Sequence, residues 1–480
     1  MNKNPLENLE PAGVFSCFAG LCAIPHGSGN TKRISDHIVK FARDLGYDCL
    51  QDDLNNVIIF APATPGYEGR PAVIIQGHMD MVCEKDADCP IDMEKEGLDV
   101  THDGTFVYAK GTTLGGDDGI AVAYAMAILQ DKTIPHPALE IVITVDEETG
   151  MDGAVGIDLS MLKGKMLLNI DSEDEGILTV SCAGGLKTTL ALDLPRRAVY
   201  GPCIKLTVEN LQGGHSGVEI HKNLANANKV MAELLARVRK LMPLCLTKLQ
   251  GGAKDNAIPR SCEATMVAMG MNLEQINDVT AALQAEIRAN FDEPNAIVRG
   301  DSVDALGGNA LSCEDTDKVI AILQDVPNGV QSWSADIPGL VQTSLNLGIL
   351  KLDDRLQMTF ALRSSSNLEK KELAEKLEAV AQTYGAECIH RGMYPAWEYR
   401  KDSPLRDTMV KVYEEMFGAK PQVVAIHAGL ECGLLGEKIE NLDCVSFGPQ
   451  MHDIHTSREK LDIASTKRTW EYLLQILRSI

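Results

Sequence analysis

No apolar run in the 480-residue sequence is long enough to cross a membrane. The longest, Ile120 to Leu129, has ten residues, about half a span. The amino-terminal stretch MNKNPLENLEP lacks the apolar segment of a secretory signal. Positive charge is also scarce: 45 Lys and Arg stand against 68 Asp and Glu, a formal charge of −23, and no basic cluster offsets it. A field of that sign repels nucleic-acid phosphates and anionic membrane surfaces, so neither is an expected partner. The 13 cysteines include no CxxC pair, and their number is odd. This argues against a disulfide framework and against a cysteine-ligated zinc ribbon. They read as small apolar side chains in a reducing compartment, and the expected location is cytoplasmic.

What remains is an ordinary globular composition, 45% hydrophobic and 24% charged, in a chain too long for one core. The first part alternates helical and strand patterns. Ile34 to Leu45 reads as an amphipathic helix, and Asn56 to Phe60 and Ala72 to Gln76 as strands. Ile120 to Leu129 reads as a buried helix, and Leu139 to Val145 and Met166 to Ile170 as two further strands. Strands apolar on both faces, alternating with helices, predict an α/β fold around a central mixed sheet.

From about Thr188 the character becomes α+β. Strand-like Cys203 to Val208 and Ala264 to Met271 accompany helical Asn223 to Lys240 and Leu273 to Ala289. A similar succession follows: helix Asp315 to Leu323, strands near Leu340 to Leu350 and Leu356 to Leu362, helix Asn367 to Tyr384. The stretch reads as two weakly related halves. Helix Pro404 to Phe417, strand Asp443 to Phe447 and a closing helix after Ser465 return to the first style. The expected layout is a catalytic domain, 1–187 and 396–480, interrupted by a large α+β lid, 188–395.

Four strand-like runs end on acidic or imidazole residues. AVIIQ leads into Gly77-His78-Met79-Asp80, LEIVITV into Asp146-Glu147-Glu148, and MLLNI into Asp171-Ser172-Glu173-Asp174. DCVSF leads through Gly448-Pro449 to His452 and His455. Ligands of open α/β sheets bind beyond the carboxyl ends of the strands, so four segments would converge on one crevice. A fifth, Gly115-Gly116-Asp117-Asp118-Gly119, opens the apolar helix. An aspartate there also serves as an N-cap, which accounts for one acid but not for two beside a glycine-rich turn. Two histidines with three carboxylates suit zinc, cobalt or manganese, one carboxylate bridging two ions. Residues i and i+2 at a strand end point the same way, so Asp80 can accept the second imidazole N–H of His78 and fix its tautomer. Any one of these residues alone would read as a satisfied histidine or a solvated loop acid. Their combination at strand ends is the signal.

GHMDMV, GGDDG, DEETG, NIDSED and GPQMHDIHTSREK resemble, in order, the metal-site motifs of the M20 metallopeptidases. The resemblance spans nearly the whole chain and includes GGHSG at Gly213 to Gly217 and Asn256-Ala257-Ile258-Pro259 in the lid. Within that family the doubled aspartate, the large lid and His427-Ala428-Gly429-Leu430-Glu431-Cys432-Gly433 resemble the bacterial aminoacyl-histidine dipeptidase branch.

The resemblance implies that Asp117 bridges two divalent ions, zinc foremost with cobalt or manganese as alternatives. His78 and Asp171 would complete one ion's ligands, Glu148 and His455 the other's. His455 is chosen over His452 because Glu459 lies four residues later, and Asp117 over Asp118 because the family places its ligand first, often before a cis peptide. It further implies a water activated between the ions, Glu147 as general base, and Asp80 as the carboxylate behind His78. His215 would be the oxyanion donor, on a lid that closes over the substrate. Small peptides are the expected substrates. Arg363 would grip the terminal carboxylate, Asn256 would support it, and His427 and Glu431 would line the substrate site, Glu431 meeting the free amine. The activity implied is hydrolysis of unblocked dipeptides, Xaa-His and β-Ala-His included. The alternative is an amidohydrolase or carboxypeptidase of the same family, acting on N-acylated amino acids or longer peptides. Lids of this family can pair into a homodimer, and a doubled lid can imitate one within a single chain.

Overall fold

Five strands whose side chains are almost all buried, Val57–Ala61, Val73–His78, Leu139–Thr144, Met166–Asn169 and Asp443–Ser446, form the middle of an eight-stranded sheet. The computed structural model describes residues 5–270 and 272–480. The sheet's order is Asp48–Gln51, Val57–Ala61, Leu139–Thr144, Val73–His78, Met166–Asn169, Asp443–Ser446, Ile177–Cys182 and Gln422–Ile426. Val73–His78 runs parallel to both Leu139–Thr144 and Met166–Asn169, and the latter parallel to Asp443–Ser446. Val57–Ala61 runs antiparallel to Leu139–Thr144, so the sheet is mixed. The register sets His78 opposite Thr144, and Gln76 and Ser446 each opposite Asn169. All four parallel strands therefore end at one edge, and the chain leaves each of them into a segment carrying candidate ligands.

The helix Gly116–Gln130 is buried from Gly116 to Leu129, as its apolar run of Ala, Ile, Val, Tyr, Met and Leu requires. It packs on Phe15, Phe18 and Leu21 of the helix Ala12–Cys22. Its first turn is not helical: Asp117 and Asp118 have φ/ψ of −83°/108° and −114°/28°, and the bond between them is cis. The amphipathic helix Lys32–Asp44 buries only Ile34, Ser35, Ile38, Val39 and Ala42. The closing helix Ile463–Ser479 starts where Asp462 accepts the Ser465 amide.

The chain divides into two compact units. The first reaches as far as Ser181 and takes in Tyr399–Ala425 and Leu430–Ile480; the second comprises Cys182–Glu398 and Ile426–Gly429. The short return segment thus puts His427 with the second unit, although 396–480 was assigned to the catalytic part.

In the second unit the two successive α+β stretches feed one nine-stranded sheet. Eight of its strands run in the order Ile297–Val303, Cys203–Glu209, Cys262–Ala268, Leu244–Gly251, Val341–Leu352, Arg355–Ser364, Gly184–Asp193 and Glu387–Tyr394. Gly329–Trp333 pairs with Val341–Leu352 off that path. Met271, at the end of one expected strand, lies outside the described residues. The helices Ala227–Leu241, Leu273–Asn290, Cys313–Asp325 and Asn367–Tyr384 share one apolar core with the sheet. Side-chain caps fix where they start: Asn226 accepts from Asn228 and Lys229, and Ser366 from Glu369. The strand Arg355–Ser364 shows the pleat plainly, since Leu356, Met358, Phe360 and Leu362 enter the core while Arg363 and Ala361 face the other way.

Candidate metal centre

His78, the last residue of its strand, is 1% exposed. Its Nδ1 lies 3.0 Å from the backbone carbonyl of Asp80 and 3.4 Å from Asp80 Oδ1. The nearer acceptor is thus the carbonyl rather than the expected carboxylate, but either one keeps the proton on Nδ1 and leaves Nε2 free to ligate. The Asp80 carboxylate is occupied elsewhere, accepting from the Ser28 hydroxyl at 2.8 Å and from the Glu147 amide at 3.2 Å. It therefore ties the His78 loop to the Glu147 loop.

The Nε2 atom of His78 faces Asp117 Oδ1 at 3.3 Å and Asp171 Oδ1 at 3.5 Å. The other oxygen of Asp117, Oδ2, lies 3.2 Å from His455 Nε2, which also meets Glu148 Oε1 at 2.9 Å. Each oxygen of one aspartate thus addresses a different imidazole. The remaining histidine of that motif, His452, is exposed and packs edge-on against the Phe106 ring. The five side chains come from five separate loops.

Asp118 is fully buried, and its Oδ2 accepts the backbone N–H of His78 at 3.2 Å. It also lies within ligand distance of His78 and Asp171. Asp117, with its two oxygens aimed at the two imidazoles, has the bridging geometry.

Burial alone would lower the basicity of His78, but the carboxylates of Asp117, Asp171 and Asp80 reverse this and hold it well above an ordinary histidine. Asp117 and Glu148 push His455 up to about 10. Burial, together with the charges of Asp171, Glu431 and Glu148, raises Glu147 to about 9. Asp171 rises to about 6, chiefly through burial. So many acids in one place are a site short of positive charge.

The donor set fits two divalent cations: imidazole nitrogens and carboxylate oxygens converge within 4.8 Å in His78, Asp117 and Glu148, with Asp171 beside His78 and His455 beside Glu148. Sequence reading used Glu459 only as a spacing marker, yet it is the main anchor of the Asp117 loop. Buried at 3% exposure, its carboxylate accepts the amides of Leu114 and Gly116 at 2.7 Å, Gly115 at 3.2 Å and Asp117 at 3.4 Å. Four successive amides aimed at one carboxylate form a nest that holds the Asp117 loop in place.

Glu431 requires a correction. It has no exposed surface, and its Oε2 accepts from Gln76 Nε2 and Thr144 Oγ1, both at 2.6 Å. It is therefore tied to two neighbouring strands and presents no exposed surface to a substrate amine. Burial raises it to about 7.

The second unit gathers the other four predicted residues. Nδ1 of His215 accepts the amides of Gly217 and Val218, both at 3.2 Å, so its proton sits on Nε2. Burial first, and then the nearby Arg363 charge, keep the ring below ordinary basicity. The same causes drop His427 to about 4, and its Nε2 pairs with Ser344 Oγ at 2.8 Å. A side chain at Gly217 would place its Cβ 2.9 Å from both the His215 ring and the His427 carbonyl, so this position in GGHSG has to be glycine. The carbonyl of Asn256 accepts the Ser216 amide at 2.9 Å, and its side chain is exposed. Arg363 stands beside the two histidines with its Nε buried and unpartnered.

Residues 74–479 match the profile of Peptidase family M20/M25/M40. The chain belongs to that family. It is 36% identical over 480 residues to the cytosol non-specific dipeptidase of Escherichia coli, covering 99% of both chains. Among solved structures it is similar to the aminoacylhistidine dipeptidase of Vibrio alginolyticus: TM-score 0.94, 36% identity, 99% of this chain and 98% of that one. The aminopeptidase PepT of Bacillus cereus, at 17% identity and TM-score 0.57 over 98% of this chain and 99% of that one, shares the fold. Among the described residues no helix is long and apolar enough to cross a membrane.

Proposed function

We propose that this M20 family member is a cytoplasmic metal-dependent dipeptidase that hydrolyses unblocked dipeptides, Xaa-His and β-Ala-His among them. Asp117 carries the reading, one carboxylate addressing two imidazoles as a bridge between two ions would. Full-length similarity to two dipeptidases supports the substrate class. His78 and Asp171 would hold one ion and Glu148 and His455 the other, with zinc foremost from the mixed nitrogen and oxygen donors. When bound, two such ions polarise the scissile carbonyl and bring the pKa of a water toward neutrality.

The protein's own residues do the rest. Glu147, hung by its amide from Asp80, takes the proton of the attacking water and passes it to the leaving amine. Asp80 keeps His78 in the ligating tautomer through its backbone carbonyl and keeps Glu147 in place through its carboxylate. His215, with its proton on Nε2 and a ring held neutral, is built to donate to an oxyanion. Arg363 takes the substrate's terminal carboxylate, and Asn256 and His427 border it.

Glu147→Gln tests the role of the base. The variant should keep its metal content and lose roughly 10²–10⁴-fold in kcat. Retention of more than a tenth of wild-type kcat, at full metal content, would remove Glu147 from the proton path.

A further inference from the structure

Strand pairing in the second unit sets four residues in one row across four strands: Ser344 opposite Arg363, Arg363 opposite Gly185, and Gly185 opposite Tyr394. Their neighbours Leu345, Leu362 and Leu186 enter the apolar core, so the row itself belongs to the opposite face. Two strand spacings separate Arg363 from Tyr394, roughly 10 Å of backbone. The only residue between them has no side chain. A Cβ at Gly185 would lie 2.3 Å from Tyr394 Cε1 and 2.5 Å from both Cζ and the hydroxyl oxygen. The ring therefore lies across the bare glycine and brings its hydroxyl to 3.5 Å from Arg363 Nη1.

Donor capacity is left over on both groups. The tyrosine oxygen accepts from the guanidinium, while its own proton has no acceptor among the described residues. Arg363 has no carboxylate within ion-pair distance among them, and its buried Nε is unpartnered. Lys187, in the next row of the same face, is already neutralised by Asp255. A guanidinium and a hydroxyl set side by side, each with unused N–H or O–H, make a seat for an anion with two donor types.

We infer that Tyr394 is a second binding residue for the substrate's terminal carboxylate, its hydroxyl donating to one oxygen while Arg363 donates to the other, with Gly185 leaving the room. This rests on the reading of Arg363 given above. The donation from Arg363 polarises the tyrosine O–H, which strengthens its bond to the carboxylate.

The test compares kcat and KM of wild type, Tyr394→Phe and Arg363→Met on a free dipeptide and on the same dipeptide as its C-terminal amide, with metal content checked for each. Phe keeps the ring over Gly185 and removes only the hydroxyl. The expected result is a rise in KM on the order of 10-fold for the free dipeptide in Tyr394→Phe, about what loss of a hydrogen bond to a charged group costs. Its kcat should stay within twofold, and KM on the amide should rise less, because the amide carbonyl accepts from the hydroxyl without the carboxylate's charge. If Arg363→Met raises KM and Tyr394→Phe does not, the tyrosine assignment is overturned while the arginine reading stands. If Arg363→Met leaves KM unchanged, the carboxylate reading itself falls. An equal loss on acid and amide in Tyr394→Phe would make the hydroxyl structural and also overturn the inference.

Discussion

Replacing Glu459 by glutamine probes how Asp117, the proposed bridge, is held. Each oxygen of the wild-type carboxylate serves two amides, Oε2 those of Leu114 and Gly115, Oε1 those of Gly116 and Asp117. Glutamine keeps the shape but turns one oxygen into an NH2 group, so whichever way it settles two buried amides lose their acceptor and face another donor. At about 1–3 kcal/mol for each unpaired buried donor, the loop loses roughly 3 kcal/mol after partial relaxation. Some of this will appear as a lower Tm. The rest falls on Asp117, which follows directly on the anchored amides, and loss of an outer partner of a ligand typically weakens metal affinity 10–100-fold. Competition against a chromophoric chelator measures that affinity, and thermal unfolding with and without metal measures the stability. Metal affinity within about twofold of wild type, at unchanged Tm, would refute the claim that the amide nest positions the bridge.

Metal binding should also release protons. Without metal, His455 at about 10 and His78 well above its usual value are both charged at pH 7, yet only neutral imidazole ligates. Raised pKa values mean that the proton is the competitor, so affinity must rise with pH, by about tenfold per unit for each ion that displaces one proton. Calorimetric titration of metal-free protein in buffers of different ionisation enthalpy checks this; a pH-independent affinity between pH 6 and 8 would contradict it. In the second unit, Lys229 Nζ donates to the carbonyls of Leu323, Gln324 and Val326 and so closes the end of the helix Cys313–Asp325. Lys229→Met keeps the apolar stem and should cost about 2 kcal/mol, read as a lower urea midpoint. An unchanged midpoint would show those carbonyls to be satisfied without the lysine.

Much of the first unit was legible because its sheet is buried on both faces. Runs such as AVIIQ and LEIVITV announce strands by apolar continuity, and the ligands follow them directly. Asn367–Tyr384 and Pro404–Phe417 were equally plain, each with a serine cap before it and a glycine after it. What was not legible depends on pairing between distant segments. The strand Gly184–Asp193 begins with two glycines, which on their own suggest a turn, and only its partners reveal that Gly185 makes room for Tyr394. Glu431 was taken for a substrate contact because it sits in a motif with His427; its burial against Gln76 and Thr144 arises from strands far from it in sequence. His427 belongs to the second unit through a return segment too short to leave a compositional trace.

The most direct test of the central claim uses metal-loaded protein, β-Ala-His and its N-acetyl derivative. The account predicts that the free dipeptide is cleaved, that the acetylated one is not, and that a chelator stops the reaction until metal is restored. Cleavage of the acetylated compound as fast as the free one, or turnover indifferent to the chelator, would contradict it.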